Sequence, residues 1–210
     1  MAYFVKSFEK DFVLKTIKDK KKVDFQTVDN VLTTKALLPN TLSFGKTKRL
    51  ACSYIDKNYL KTYRSQGLIF ETKQKPDQVY PFDLVVLTNA NKLVVQYYRI
   101  ENNLHEYYGH ELLSGFEKFM FGDPQTMIKK IISPKNALEL VNAFRKKHGF
   151  KLLSKAQFKL VEYNEMIFNK PINIKPVAIC GYTKLSKEIA KKYSLPHFRN
   201  VKEFYNKTSK

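Results

Sequence analysis

The sequence predicts an α/β domain in which helices flank a mixed central β-sheet. Residues 176–180 form a short apolar run typical of a buried strand, and residues 184–193 follow with a helical pattern. A second strand at 196–198 comes so soon after this helix that a parallel pair is expected, which indicates an α/β sheet. Residues 82–87 and 92–99 are two further strand-like runs, joined by an Asn-rich link that suits a tight turn.

The first fifty residues are expected to form a small basic helical extension. Apolar spacing predicts one helix from about Ser7 and a second over 25–38, capped by Asp24 and stopped at Pro39. Two such helices followed by a basic turn fit a small DNA-binding head. They fit equally well as helices that pack on the main sheet.

Residues 51–210 are expected to form the main domain, with a helical insertion at about 104–175. Residues 51–65 have a helical pattern that Gly67 would stop, and 68–72 is a strand candidate. Further helices are predicted over 104–121, 125–132, 136–148 and 200–205, the third beginning near Pro134 and stopping at Gly149, while 152–168 fits either helix or strand.

Composition narrows the class of partner. The chain has 210 residues, of which 43% are hydrophobic, so it can bury a core. Its 38 lysines and arginines against 19 acids give a formal charge of +19, which a bound polyanion would relieve. Nucleic acid is therefore the first expected partner. An acidic membrane surface, an acidic protein and a lysine-rich surface without any partner are the alternatives.

Cysteine spacing and hydropathy indicate the compartment. Cys52 and Cys180 lack zinc-ligand spacing and are expected to be buried thiols in a reducing compartment. No apolar run reaches transmembrane length, and the N-terminus lacks the pattern of a secretory signal. The sequence thus predicts an intracellular protein, cytoplasmic or nucleoid-associated, without a membrane partner.

Polar residues mark the ends of the predicted hairpin. Asp83 opens its first strand, and Gln96 and Arg99 close the second. In a two-stranded ribbon these ends lie close together, so an acid, an amide and a guanidinium would converge. Polar groups at the end of a buried hairpin are costly unless they are satisfied. They are expected to form either a structural network or a site.

The order of these segments is similar to a known family. Together, the helix, Gly67 and strand of 51–72, the strands 82–86 and 93–99, and the strand–turn–helix of 177–193 resemble the catalytic domain of Mrr-type restriction endonucleases. That family belongs to the PD-(D/E)xK nuclease superfamily. The resemblance spans roughly residues 51–205 and implies a restriction-endonuclease-like fold.

The family's chemistry is magnesium-dependent hydrolysis of a phosphodiester, and the resemblance assigns residues to it. Asp83 matches the metal-binding aspartate, and Gln96 matches the second metal ligand, which is Glu or Gln. The lysine position is occupied by Tyr98, which is neutral near pH 7, and Arg99 would point to the opposite face of a regular strand. The catalytic site is therefore expected to be degenerate.

The functional expectation is a nucleic-acid-binding protein with a nuclease-like fold, with DNA favoured over RNA. One alternative is an active magnesium-dependent endodeoxyribonuclease, a hydrolase with a relocated basic residue. The other is a basic structural subunit of a larger nucleoprotein or protein assembly. The residues expected to contact nucleic acid are Arg99, Arg145, Lys146, Lys147, Lys184, Lys187, Lys191 and Lys192.

Overall fold

The computed structural model describes residues 3–8, 27–41, 48–55, 57, 59–80, 134–147, 149, 151–159 and 162–209. The chain divides into two compact units. The first joins Met1–Gln78 with Met166–Lys210, and the second is Val79–Glu165.

The described segments form ten strands and five helices. The strands are β1 Tyr3–Ser7, β2 Ala36–Leu37, β3 Asn40–Thr41, β4 Lys48–Ile55, β5 Gly67–Glu71, β6 Gln78–Tyr80, β7 Glu165–Phe168, β8 Ile172–Asn173, β9 Lys175–Cys180 and β10 His197–Phe198. The helices are α1 Val28–Thr34, α2 Pro134–Lys147, α3 Lys155–Phe158, α4 Lys184–Lys192 and α5 Val201–Thr208.

A mixed sheet forms the centre of the first unit, in the order β10-β9-β5-β1-β4-β7. Strands β9 and β10 pair in parallel, whereas the other neighbours along this path are antiparallel. Helix α4 connects the parallel pair, and α5 follows β10. The predicted α/β class and the predicted parallel pair at the end of the chain are therefore confirmed.

Strand β1 separates two apolar clusters because successive side chains of a strand point to opposite faces. Val5 belongs to a buried cluster that includes Ile69, Val201 and Phe204, so α5 covers this face of the sheet. Phe4 on the other face packs against the rings of Phe70 and Phe168, with centroids 5.8 and 5.9 Å away. One five-residue strand thus contributes a side chain to each of the two apolar clusters.

Two expectations for the first seventy residues are wrong. Tyr3–Ser7 lies in the middle of the sheet, although the sequence assigns residues 1–50 to a helical extension. Lys48–Ile55 is a strand, although 51–65 carries a helical pattern. Its backbone pairs with β1 on one side and with β7 on the other. This pairing decides the structure, because the local apolar pattern fits a helix as well as a strand.

Gly67 has a different role from the predicted helix stop. It opens β5 opposite Ser7 of β1. A Cβ at this position would lie 2.7 Å from Val5 Cγ1 and 2.9 Å from the Lys6 carbonyl oxygen. Glycine is required here because the two strands approach closely, not because a helix ends.

The remaining element predictions have mixed outcomes. α1 begins at a cap formed by Thr27, whose Oγ1 accepts from Asn30 N at 3.1 Å, and not at Asp24. The predicted strand at 68–72 and the helices beginning near Pro134, Lys184 and Asn200 are confirmed, and 152–168 contains both α3 and β7. The predicted first helix and the helices over 104–121 and 125–132 fall on residues outside the described ones.

Within the described segments, none of the helices is long and apolar enough to cross a membrane.

Candidate functional site

The turn after β9 brings polar groups to the carboxyl ends of the two parallel strands. In open α/β sheets this edge is the usual place for a ligand. Gly181 has φ +147, and a Cβ there would lie 2.6 Å from Gln66 Cβ and 3.1 Å from Ser186 Cβ. Thr183 then caps α4 by accepting a hydrogen bond from Ser186 N. The turn is therefore tightly packed and conformationally fixed.

A chain of hydrogen bonds runs beneath this turn. Thr183 Oγ1 donates to Gln66 Oε1 at 2.6 Å, and Ser186 Oγ donates to the Thr183 carbonyl at 2.8 Å. His197 Nε2 lies 3.3 Å from Ser186 Oγ. With the Ser186 hydroxyl donating to the Thr183 carbonyl, the contact with His197 is a hydrogen bond in the tautomer that carries its proton on Nε2. The network links the turn to β10 and to Gln66.

Three exposed lysines lie on the outer side of α4, and we call Lys184, Lys187 and Lys191 the lysine stripe. Their spacing of three and four residues places them on one side of the helix, opposite the buried Ile189 and Ala190. Lys184 lies 3.7 Å from the exposed carboxylate of Glu188.

Within the stripe, Lys187 and Lys191 have no ion pair in the part of the chain that the structure describes. Two of the three ammonium groups are therefore available to an anionic partner.

Lys192 is exposed but already paired. Its Nζ donates to Asp29 Oδ1 at 2.9 Å, and the Tyr193 hydroxyl donates to the same oxygen. These hydrogen bonds, first from Lys192 and then from Tyr193, hold the pKa of Asp29 below its usual value. The same carboxylate raises the pKa of Lys192. Lys192 therefore offers less free charge to a partner than Lys187 and Lys191 do.

Tyr182 projects from the turn and is 63% exposed. Asn200 Nδ2 donates to its hydroxyl at 2.9 Å, while Asn200 Oδ1 accepts from Glu203 N and caps α5. Arg199 is exposed, and its backbone N–H donates to Glu203 Oε2 at 2.7 Å. That bond, with a smaller contribution from Lys207, lowers the pKa of Glu203.

The basic run at the end of α2 differs from its prediction. Arg145 is buried, with 1% exposure, and its Nε donates to the Lys151 carbonyl at 2.6 Å. Burial lowers its pKa. The expected phosphate contact of Arg145 is therefore corrected, because its guanidinium lies inside the protein. Lys146 and Lys147 are exposed, as their predicted role requires.

The predicted hairpin site cannot be placed beside these features. Asp83, Gln96, Tyr98 and Arg99 all lie outside the described residues. Among the residues that are described, no group of three or more His, Cys, Asp or Glu side chains could hold a metal ion. The expected magnesium ligands and the degenerate catalytic site remain predictions.

Sequence reasoning identified the lysines of α4 and the turn before it, but missed three residues that shape the site. Gln66, Tyr182 and Asn200 were not predicted to have a role. Gln66 is 116 positions before Tyr182 along the chain, so only the fold brings it to the turn. The one available signal was an aromatic residue placed between a glycine and a helix cap, where no core position was expected.

Comparison with known proteins gives no match to a family model, to a curated protein or to a solved structure. The likeness to Mrr-type endonucleases rests on the sequence segments alone. Residues 51–55, which were expected to begin the helix of its first segment, belong to strand β4 in the structure. The strand–turn–helix of its third segment is present as β9, Gly181–Thr183 and α4.

Proposed function

We propose that this chain binds nucleic acid, with DNA favoured over RNA, through contacts between the lysine stripe and the phosphate backbone. The observation that carries the proposal is the row of three exposed lysines on α4, two of which have no ion pair within the described segments. DNA is favoured because the resembled family acts on DNA. Binding is proposed without cleavage, since Tyr98 stands where the resemblance calls for lysine.

The charge around the stripe supports this proposal. Residues 166–210 contain ten lysines and arginines against two glutamates. Such an excess attracts a polyanion over a distance set by the ionic strength. A bound strand would release condensed counterions, which makes its affinity steeply dependent on salt.

The geometry of α4 also supports it. Lys184 and Lys191 are seven residues apart, which corresponds to about 10 Å along a helix axis. Successive phosphates of one strand advance about 3.4 Å along a duplex. The stripe can therefore follow roughly three phosphates without any change in the helix.

The test is the salt dependence of binding. The affinity of the full chain for a fluorescently labelled DNA oligonucleotide would be measured by anisotropy at several salt concentrations. For the double variant Lys187→Ala/Lys191→Ala we expect weaker binding and a slope of log K against log salt that is shallower by about 2, one for each lost contact.

Lys192→Ala is the matched control, because it removes one lysine of the same helix that Asp29 already neutralises. Its slope should change by clearly less than one. Affinity that is indifferent to salt, or a double variant that binds like the wild type, would overturn the proposal. A salt-insensitive interface would instead favour the protein-assembly alternative.

A further inference from the structure

Tyr182 is the most exposed of the large hydrophobic side chains within the described residues, at 63%. A large ring in water is not explained by the core, because its neighbours Gly181 and Ser186 are buried while it points outward. Its apolar face is therefore available to a partner.

The ring is also held in place. Its hydroxyl accepts from Asn200 Nδ2 at 2.9 Å, and the same Asn200 caps α5 through its other side-chain atom. On the backbone side, Gly181 is wedged against Gln66 and Ser186. Tyr182 is thus anchored at both ends, so a flat ligand could stack on it with little loss of side-chain entropy.

Basic residues surround this ring in the chain. Lys184, the first member of the lysine stripe, is two residues after Tyr182 and 91% exposed. Arg199, also exposed, directly precedes the anchoring Asn200. Proteins that bind single-stranded nucleic acids use a fixed aromatic ring beside positive charge. A base stacks on the ring, and the cationic side chains contact the phosphates.

We propose that Tyr182 is a stacking platform for one base of a single-stranded nucleic acid whose backbone follows the lysine stripe. This rests on the proposed function and adds the form of the ligand. Bases inside a duplex have both faces covered by their neighbours, so duplex DNA can use the lysines but not the ring. The protein should therefore bind a single strand more tightly than a duplex of the same length.

The first experiment compares Tyr182→Ala and Tyr182→Phe on labelled single-stranded DNA, single-stranded RNA and duplex DNA of equal length. Stacking on one aromatic side chain predicts about tenfold weaker single-strand binding for Tyr182→Ala. Duplex binding should change less than twofold. Tyr182→Phe keeps the ring but loses the hydrogen bond from Asn200, so its single-strand affinity should fall by less than that of Tyr182→Ala. Tyr63→Ala is the matched control, since Tyr63 is 51% exposed but the Arg64 guanidinium already lies 4.5 Å from its ring centroid.

A second measurement does not depend on affinity. The chain contains no tryptophan, so Tyr182→Trp introduces a single fluorescent reporter at the platform. Stacking of a base should quench its emission as single-stranded DNA saturates the protein, whereas Tyr63→Trp should keep its emission. Duplex DNA should leave both unchanged.

The outcomes separate this inference from the proposed function. Equal losses on single strand and duplex for Tyr182→Ala, or an unquenched Tyr182→Trp at saturation, would overturn the stacking platform while salt-sensitive binding stands. No binding of any of the three nucleic acids by the wild type would overturn both. Equal losses of affinity for single-stranded DNA and RNA in Tyr182→Ala support stacking, because both carry bases that can stack on the ring.

Discussion

Helices α2 and α4 carry basic runs that look alike in the sequence and differ in the structure. α2 ends in three consecutive residues, Arg145, Lys146 and Lys147, and the arginine is buried. On α4 the three members of the lysine stripe are at intervals of three and four residues, and all three are exposed. Both runs contribute equally to net charge, yet only one forms a continuous charged surface.

Helical geometry explains the difference. Consecutive residues of a helix are about 100° apart, so three in a row sweep more than half of its circumference. When such a helix packs against another element, at least one of the three residues faces the packed side. Residues three and four apart stay on one side. Spacing, and not the number of basic residues, decides whether a basic run can follow a polyanion.

The largest effect should come from the buried member of α2. We expect Arg145→Ala to lower the free energy of unfolding by about 2 kcal/mol, because it removes a buried side chain and leaves the Lys151 carbonyl without its charged donor. Urea denaturation of the full chain, followed by circular dichroism, measures the change. Lys146→Ala, one residue along and exposed, should change it by less than about 0.5 kcal/mol. Equal losses in the two variants would show that the two side chains are not differently placed.

The ends of the two helices offer a second contrast. α2 is followed by Gly149 at φ +70, whereas α4 is followed by Ser194 at φ +52, a conformation that costs a non-glycine residue energy. The backbone bonds are similar, since Gly149 N donates to Lys146 O and Ser194 N donates to Lys191 O.

Opposite substitutions at these two positions should therefore change the free energy of unfolding in opposite directions. We expect Ser194→Gly to stabilise the chain by roughly 0.5–1 kcal/mol and Gly149→Ala to destabilise it by a similar amount. Thermal or urea unfolding of both variants measures this. A destabilised Ser194→Gly would mean that the Ser194 side chain contributes more than its backbone strain costs.

The third contrast lies within α4 itself, between paired and unpaired lysines. Asp29→Asn removes the carboxylate that neutralises Lys192. If the stripe binds phosphate, this variant should bind DNA about two- to threefold more tightly, with a salt slope steeper by up to about 0.9, because one more cation becomes available. The same anisotropy titration measures it. Unchanged affinity would indicate that bound nucleic acid does not reach as far as Lys192.

The parts of the fold that sequence predicted are those where local pattern and tertiary context agree. α4 has a capping threonine, an apolar side and a preceding apolar strand, so its bounds follow from local chemistry. The region 48–55 lacks such agreement. Its apolar residues fit a helix face, but its two neighbouring strands come from residues 3–7 and 165–168, and no local pattern contains that information.

The site shows the same division. The lysines of α4 could be found from spacing, since they and the buried positions between them are local. The Tyr182 anchor could not, because it depends on Asn200 beyond a further strand, and the packing of the turn depends on distant Gln66. Burial of Arg145 was also beyond local pattern, because its hydrogen-bond partner is set by how the chain returns after Gly149.

The smallest expected effect is the pH dependence of the Asp29–Lys192 contact. The folded pKa of Asp29 is lowered, so the contact stabilises the protein fully above the ordinary aspartate pKa of about 4 and is lost as the pH falls through the folded value. Both side chains are 61% exposed, so solvent screens the pair and the melting temperature of Asp29→Asn at neutral pH should fall by only about 1 °C. Near pH 3 the difference from wild type should shrink, and high salt should reduce it at either pH.

Lys192→Met supplies the other side of a double-mutant cycle, which removes any contribution of Asp29 to the start of α1. A difference that persists unchanged from pH 7 to pH 3 would show that Asp29 acts through something other than its charge.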